Sequence, residues 1–380
     1  MIQIYSNSLG KEELDSIAEV FDSKWLGKGP KEELFRKEIG SKLSEEYFGQ
    51  GYVTVSPSNL LTTNSCTEAA FQIMEVLNIG EEDEIVMPSM SFVGIANAVI
   101  SRGAKVVFCD VDPKTLNPSL DDLKKVINSK TKAIFLIHYA GVPSSDLLNI
   151  VEFCNSNNIY LIEDNANSPF SYLDCKSTGT FGDFGIWSFD AMKILVTGDG
   201  GLIYSKDKKY IEKLKRTTYL GLETESGLSS TVDKKWWQFD VSVPGRRSIM
   251  NDITAAIGLE QLKKVSKFIK RRNEIHDRYI NELSNLDWLT LPSVPLNVTS
   301  SYYMFHVQLE DRDNFAKYLR QEGIYTTFRY YPLHWVDFYK SESILPDTEK
   351  AANTTLCLPI HQNLTDDEVG FIIKKIKQWS

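Results

Sequence analysis

Trp187-Ser188-Phe189-Asp190-Ala191-Met192-Lys193-Ile194-Leu195-Val196-Thr197-Gly198-Asp199-Gly200-Gly201 carries a lysine in an uncommon setting. An apolar, strand-like run ends in Ser188, and the lysine follows five positions on. A Gly-Asp-Gly-Gly turn then leads into a second apolar run, Leu202-Ile203-Tyr204. Lysines mostly occupy solvated faces, and an isolated one at a strand edge usually snorkels to water. One lodged between Met192 and Ile194-Leu195-Val196 has a second reading. Burial or cationic neighbours lower an amine's pKa from ~10.4 toward ~7–8, making it a nucleophile and base. The choice depends on whether the surrounding chain supplies the rest of a site.

From Leu60 onward the pattern alternates strand and helix. Strand-like segments fall at residues 84–88, 105–110, 133–138 and 159–164, with helical spacing at 92–102, 120–128 and 146–155. Strands that are apolar throughout and separated by helices imply an α/β fold, a mostly parallel sheet covered on both faces. In such sheets ligands bind beyond the carboxyl ends of the strands. Ser65, Phe92, His138, Asp164 and Ser188 all lie at or just past such ends. Ser65 and Glu68 have capping-box spacing, and a helix start with small hydroxyl residues offers free N–H groups and a positive dipole end to a phosphate.

Outside this core, helical patterns at residues 11–23 and 31–43 flank a loop holding Trp25, Gly27, Lys28 and Gly29, a ligand-contact loop or a plain connector. After Gly201 come a charged helix at 207–216, a polar loop at 223–235 expected to be mobile, and an amphipathic helix at 253–268 running into Lys270-Arg271-Arg272. From residue 283 the character becomes α+β, with strand-like 304–309 and 325–331 and helices at 313–322 and 366–379. The expected division is a large domain over residues 1–255 and a smaller one over 256–380, including the linking helix. A net charge of −9 over 380 residues disfavours a general nucleic-acid or anionic-membrane binder. Cysteines 66, 109, 154, 175 and 357 are odd in number and form no CxxC pair, against both a disulfide framework and a zinc site. No metal is expected. With no leader-like start and no run of about 18 apolar residues, the expected location is cytoplasmic.

A buried lysine, an aspartate ending an apolar strand, a capped helix start, a second serine and an aromatic form the inventory that pyridoxal phosphate needs. The lysine takes the cofactor aldehyde and the aspartate holds the pyridine nitrogen protonated; the phosphate takes the helix start and hydroxyls, and an aromatic face stacks on the ring. Taken singly, Glu163-Asp164 also reads as a cap or ion-pair partner, and His138 as a core histidine or one packed against the cofactor. No G-x-G-x-x-G opens a helix after the first strand, which disfavours a nicotinamide-binding enzyme.

Several ordered motifs carry a resemblance. They are Asn64-Ser65-Cys66-Thr67, Pro88-Ser89-Met90-Ser91-Phe92, His138-Tyr139-Ala140-Gly141 and Glu163-Asp164-Asn165-Ala166-Asn167, then Gly182-Asp183-Phe184-Gly185 with Ser188-Phe189 and Lys193. Thr197-Gly198-Asp199-Gly200-Gly201, the stretch from Met250 to Leu259, and Tyr331-Pro332-Leu333-His334 complete the set. From about Gly27 to the C-terminus the chain resembles the DegT/StrS-type sugar aminotransferases. The resemblance implies the aspartate-aminotransferase-like fold type I, pyridoxal phosphate as cofactor, and a homodimer with active sites at the interface. It implies Lys193 as the Schiff-base lysine, Asp164 as the partner of the pyridine nitrogen, Phe92 as the stacking aromatic, and Ser65, Cys66 and Ser188 as phosphate-binding positions. The implied reaction moves an amino group from L-glutamate to a keto group, most often C4, of a nucleotide-linked 4-keto-6-deoxy sugar, with Lys193 carrying the proton.

Three departures stand out. Asn167 replaces a glutamine found in many members. Arg247 aligns with an asparagine that in many members reaches the neighbouring subunit's phosphate; an arginine suits that phosphate or the substrate's diphosphate. Asp190 adds a carboxylate near Lys193 that either raises its pKa or caps the following turn. Candidate substrate contacts are Trp25, Lys28, His138, Arg329, Tyr330 and His334. The competing readings are a pyridoxal-phosphate-dependent keto-sugar dehydratase, in which histidine would replace Lys193, and a cofactor-binding regulator without turnover.

Overall fold

The computed structural model describes residues 1–44, 55–223 and 239–379, so the polar loop expected at 223–235 lies, apart from Glu223, outside the described residues. Helices α1 (Lys11–Asp22) and α2 (Pro30–Ser44) open the chain. Strands β1 (Leu60–Thr63), β2 (Glu84–Pro88), β3 (Lys105–Cys109), β4 (Thr131–Ile137) and β5 (Tyr160–Asp164) follow. They alternate with helices α3 (Cys66–Val76), α4 (Val93–Ile100), α5 (Leu120–Lys124) and α6 (Leu147–Asn157). A short hairpin, β6 (Tyr172–Leu173) and β7 (Lys176–Ser177), precedes β8 (Phe184–Ser188), β9 (Gly201–Ser205) and helix α7 (Lys208–Thr217).

The main sheet runs β1-β9-β8-β5-β4-β2-β3. β9 pairs antiparallel with both neighbours, and the other pairings are parallel. Alternating side chains fill opposite faces. Ile85, Met87, Ala133, Phe135, Ile162, Phe184, Ile186 and Ile203 pack with α3, α4 and α7 on one side. Val86, Ile134, Leu136 and Leu161 face α5 and α6 on the other, and Leu60, Trp187 and Leu202 meet α2 and the next helix there. A strand buried on both faces must be apolar at every position, which is why these strands show no polar alternation.

Helix α8 (Asp252–Leu283) has 32 residues, about 48 Å of helix. Its first half, Ala255 to Ile269, packs into the core shared with the main sheet. After α8 come the short strand β10 (Val298–Thr299), β11 (Phe305–Gln308), helix α9 (Arg312–Gln321), α10 (Pro346–Thr354), β12 (Thr355–Leu358) and α11 (Asp366–Lys377), and the second half of α8, Ile275, Tyr279 and Leu283, packs with β11, β12, α9 and α11. Residues 325–331 do not form the expected strand. Only Thr327 bridges Cys357, and the chain then turns away from the β11–β12 pair and carries Arg329 and Tyr330 elsewhere. Among the described residues no helix is long and apolar enough to cross a membrane, and no group of three or more His, Cys, Asp or Glu gathers as for a metal ion.

Asp252 ties the two long helices together. Its buried carboxylate accepts from the backbone N–H groups of Lys31 at 3.2 Å and Glu32 at 3.0 Å, so the first residue of α8 caps α2. Asp252→Ala strands both donors and is expected to cost about 1–2 kcal/mol, read from the denaturant midpoint.

Burial also lowers the pKa of His306 and His361 to about 4. Both folded values lie below the unfolded value of ~6.5, so the unfolded chain binds more protons in this window. Stability is therefore full above about pH 6.5 and falls as the pH drops toward 4. Between pH 7 and pH 5 the expected loss is roughly 2 kcal/mol per group, measured by denaturant titration at the two pH values.

Candidate active site

The antiparallel strand β9 builds the site's floor. Its first residue, Gly201, pairs with Thr63 on one side and Ser188 on the other, so the chain ends leading to Ser65 and Ser188 meet across one residue. A Cβ on Gly201 would lie 2.5 Å from the Ser65 carbonyl carbon, so no larger residue fits. Ser65 caps α3, its Oγ accepting from Glu68 N–H at 3.1 Å. The reciprocal half of a capping box is missing, because the Glu68 carboxylate turns to Ser248 Oγ at 2.8 Å and Arg246 at 3.2 Å. The first-turn N–H groups of Cys66 and Thr67 have no acceptor within the helix. Hydroxyls and helix start together offer a site for an anion.

Lys193 follows β8 in a turn held at both ends. Asp190 Oδ1 accepts from Met192 N–H at 2.9 Å, Lys193 N–H donates to Asp190 O at 2.9 Å, and Phe189 N–H donates to Gly200 O at 2.9 Å. Asp190 thus caps the turn. Ile194, Leu195 and Val196 are buried and anchor the other side. The Lys193 ammonium lies 4.8 Å from the Tyr303 ring centroid. The sequence predicts a lowered amine pKa, and here the correction is a change of sign. Burial acts to lower it, but the neighbouring Tyr303, Tyr330 and Asp164 outweigh burial and hold the amine above its ordinary range.

Asp164 ends β5, 3% exposed, with Oδ1 accepting from Ala166 N–H at 2.9 Å. Burial raises its carboxyl above the usual range, opposed by the Ala166 N–H, Lys193 and His138. Burial likewise pushes the Cys66 thiol up, helped by Asp164, so Cys66 stays a neutral thiol. Asn167 is fully buried and its Oδ1 accepts from Tyr330 O–H at 3.1 Å. Among the described residues its Nδ2 has no hydrogen-bond partner. Phe92 is 52% exposed at the start of α4 and meets Tyr330 edge-on, ring centroids 6.4 Å apart. Arg329 donates to Tyr303 Oη at 3.3 Å and to Met192 Sδ at 3.3 Å, and its carbonyl accepts from Tyr139 O–H.

Two histidines read as substrate contacts face elsewhere. His138 is fully buried, Nε2 at 2.9 Å from Glu163 Oε2, and the same carboxylate accepts from the N–H groups of Gly179, Phe181 and Gly182. His138 therefore lies behind Asp164, inside the core. His334 is also buried, Nδ1 at 2.7 Å from Ser89 Oγ and Nε2 at 3.4 Å from Glu349, fastening the 333–335 turn to the end of β2. Both have a polar partner in the fold and no open face.

Trp25, Lys28 and Arg247 form a second cluster. They line a cleft of about 930 Å³ together with Arg36, Lys215 and Tyr219. Trp25 Nε1 donates to Lys28 O at 2.9 Å, and the Arg247 guanidinium lies 5.3 Å from the Tyr219 ring centroid. The chain thus gathers Lys193, Asp164, Asn167, Ser65, Cys66, Ser188, Phe92, Arg329 and Tyr330 in one place and leaves Trp25, Lys28 and Arg247 in another. Tyr303, which touches both Lys193 and Arg329, was not legible beforehand. It sits in Ser300-Ser301-Tyr302-Tyr303-Met304, whose spacing signals only the approach to a strand.

An amine for an aldehyde, a buried carboxylate for a pyridine nitrogen, an anion site between two serines, an orphaned amide donor and an exposed aromatic ring together fit pyridoxal phosphate. Comparison with known proteins agrees. The profile of the DegT/DnrJ/EryC1/StrS aminotransferase family matches residues 7–377. The chain is 45% identical over 382 residues to the dTDP-4-dehydro-2,3,6-trideoxy-D-glucose 4-aminotransferase of Saccharopolyspora spinosa, covering 100% of this chain and 96% of that protein. It superposes on the aminotransferase TlmJ of Streptoalloteichus hindustanus with a TM-score of 0.92 and 43% identity, covering 100% of this chain and 98% of that one. A sugar aminotransferase of Streptococcus pneumoniae, described as putative and solved in a PLP form, aligns at TM-score 0.85 and 25% identity over 99% of this chain and 98% of its own. The chain belongs to the DegT/DnrJ/EryC1/StrS aminotransferase family.

Proposed function

We propose that this aminotransferase moves the amino group of L-glutamate to the C4 keto group of a nucleotide-linked 4-keto-6-deoxy sugar, in amino-sugar, surface-polysaccharide or glycoside biosynthesis. The carrying observation is Lys193 gathered with Asp164, Asn167 and the Ser65–Ser188 anion site. The 4-keto hexose chemistry named for the relative from Saccharopolyspora spinosa supports C4.

When bound, pyridoxal phosphate supplies the electron sink for the carbon that loses or gains nitrogen. The rest falls to the chain. Lys193 Nζ would hold the cofactor aldehyde and, when free, would take the proton from the substrate carbon or return it, as base and acid in turn. Asp164, fixed by the Ala166 N–H, keeps the proton on the pyridine nitrogen. Ser65, Ser188 and the first-turn N–H of Cys66 would hold the phosphate. Asn167 Nδ2, the orphaned donor, would be free to donate to the cofactor's ring oxygen, and the exposed Phe92 ring would cover one face of it.

The proposal includes a cytoplasmic homodimer. Its support is the separate cluster of Trp25, Lys28 and Arg247, which serves a neighbouring protomer's site, where Arg247 meets the phosphate or the substrate's diphosphate. The thiols of Cys66, Cys109, Cys154, Cys175 and Cys357 are all unpaired, as in a reducing compartment. The proposed division is a cofactor-binding domain over residues 1–255 and a second domain over 256–380 that includes the linking helix.

The test supplies ¹⁵N-labelled glutamate and dTDP-4-keto-6-deoxyglucose to the cofactor-loaded protein. An amino sugar nucleotide carrying ¹⁵N is the expected product by mass spectrometry. A deoxygenated sugar without nitrogen, or unchanged sugar with this and a GDP-linked analogue, would overturn the proposal.

A further inference from the structure

In helices α1, α5 and α11 the acid at the third helical position turns back and caps the chain before it. Glu13 accepts from Gly10 N–H at 2.8 Å, Asp122 from Ser119 N–H at 3.0 Å, and Glu368 from Thr365 N–H at 2.9 Å. Helix α3 has the same spacing, Ser65 to Glu68, but its acid points away. Glu68 Oε1 accepts from Ser248 Oγ and Gln72 Nε2, both at 2.8 Å, and Oε2 accepts from Arg246 Nη1 at 3.2 Å. Among the described residues no group accepts from the Ser65 N–H. The diverting side chains are themselves fixed. Ser248 is buried, its N–H donates to Thr218 O at 2.9 Å, and its carbonyl accepts from Asn64 N–H at 2.8 Å. Arg246 N–H donates to Thr217 O at 2.7 Å, and its guanidinium lies 4.9 Å from the Phe71 ring centroid.

The consequence follows from what the start of α3 has to hold. A carboxylate capping Ser65 would place its charge on the N–H groups and the positive dipole end that an anion needs. Phosphate and carboxylate seek the same donors and repel each other, so one excludes the other. We propose that Arg246 and Ser248 are positioning residues for the cofactor phosphate, acting by holding Glu68 off the start of α3. Each works through Glu68 and not by a contact of its own. The inference rests on the phosphate site proposed above at Ser65, Ser188 and Cys66.

The experiment measures, by calorimetry, the binding of pyridoxamine phosphate and of pyridoxamine, which lacks the phosphate, to the cofactor-free enzyme. Neither probe has an aldehyde to join Lys193, so affinity reports the non-covalent site alone. Arg246→Met/Ser248→Ala releases Glu68 and is expected to weaken pyridoxamine phosphate by about tenfold, leaving pyridoxamine unchanged. Adding Glu68→Ala to the same chain is expected to restore wild-type affinity. Glu68→Asp makes the same test with the charge kept and Arg246 and Ser248 in place. The shorter side chain falls short of them yet can reach Ser65 as Asp122 reaches Ser119, and the same phosphate-dependent loss is expected. Glu68→Ala alone should bind pyridoxamine phosphate at least as tightly as wild type. Equal weakening of both probes in R246M/S248A, or a loss that E68A does not relieve, would overturn the inference and leave the cluster a structural clasp. A loss in E68A alone as large as that in E68D would overturn it too. A wild type that binds both probes equally would defeat the phosphate site itself, and the inference with it.

Discussion

Lys193→Ala is expected to lower turnover by about 10⁴-fold or more while leaving the fold intact. The size follows from two losses at one atom. The amine that takes the cofactor aldehyde disappears, and with it the base that moves the proton during transfer. The fold should survive because the turn does not depend on the side chain: the Asp190 carboxylate and carbonyl hold the backbone of Met192 and Lys193, and Ile194 to Val196 remain in the core. The variant should still bind pyridoxal phosphate through Ser65, Ser188 and Asp164. Borohydride reduction should fix cofactor to the wild type and not to the variant. Full activity in the variant would remove Lys193 from the mechanism.

Asp164→Asn is expected to cost about 10³-fold in turnover and nothing in stability. The carboxylate is almost fully buried, and burial raises its pKa despite Ala166, Lys193 and His138. A folded-state pKa above the unfolded value means that the charged form is penalised in the folded chain at neutral pH. Asparagine removes that penalty at nearly the same volume. The cofactor-free variant should therefore melt at or above the wild-type temperature while activity collapses, the trade expected of a residue kept for chemistry. A variant that loses stability and activity together would point instead to a structural carboxylate.

The fold was legible because its evidence is local and repeated. A strand buried on both faces needs the unbroken apolar runs seen at Ile85 to Met87 and Ala133 to Ile137, and such strands alternating with helices leave few arrangements open. Where order along the chain matters, residues at strand ends were readable as one site. What failed depended on partners distant in sequence. Nothing near His334 announces Ser89, 245 positions away, as the group that takes its Nδ1. The spacing of Ser65 and Glu68 announces the Ser65 cap that forms, but not that Ser248 and Arg246, far along the chain, take the Glu68 carboxylate. The direction of the Lys193 pKa has the same origin. The local apolar run suggests burial alone, whereas Tyr303 and Tyr330 arrive from the far end of the chain. The 325–331 segment has strand-like composition, but its pairing stops at a Tyr325 N–H bond to the Ile2 carbonyl and one bridge through Thr327, and the chain beyond reaches the site.

The most direct test of the central claim is the absorption spectrum of the purified, cofactor-loaded protein before and after addition of L-glutamate alone. The account predicts a yellow band that bleaches as the bound cofactor takes up the amino group, with 2-oxoglutarate appearing in step. A yellow band that stays unchanged with glutamate would contradict it, because the cofactor would then be held by this chain without the amino-donor half of the reaction.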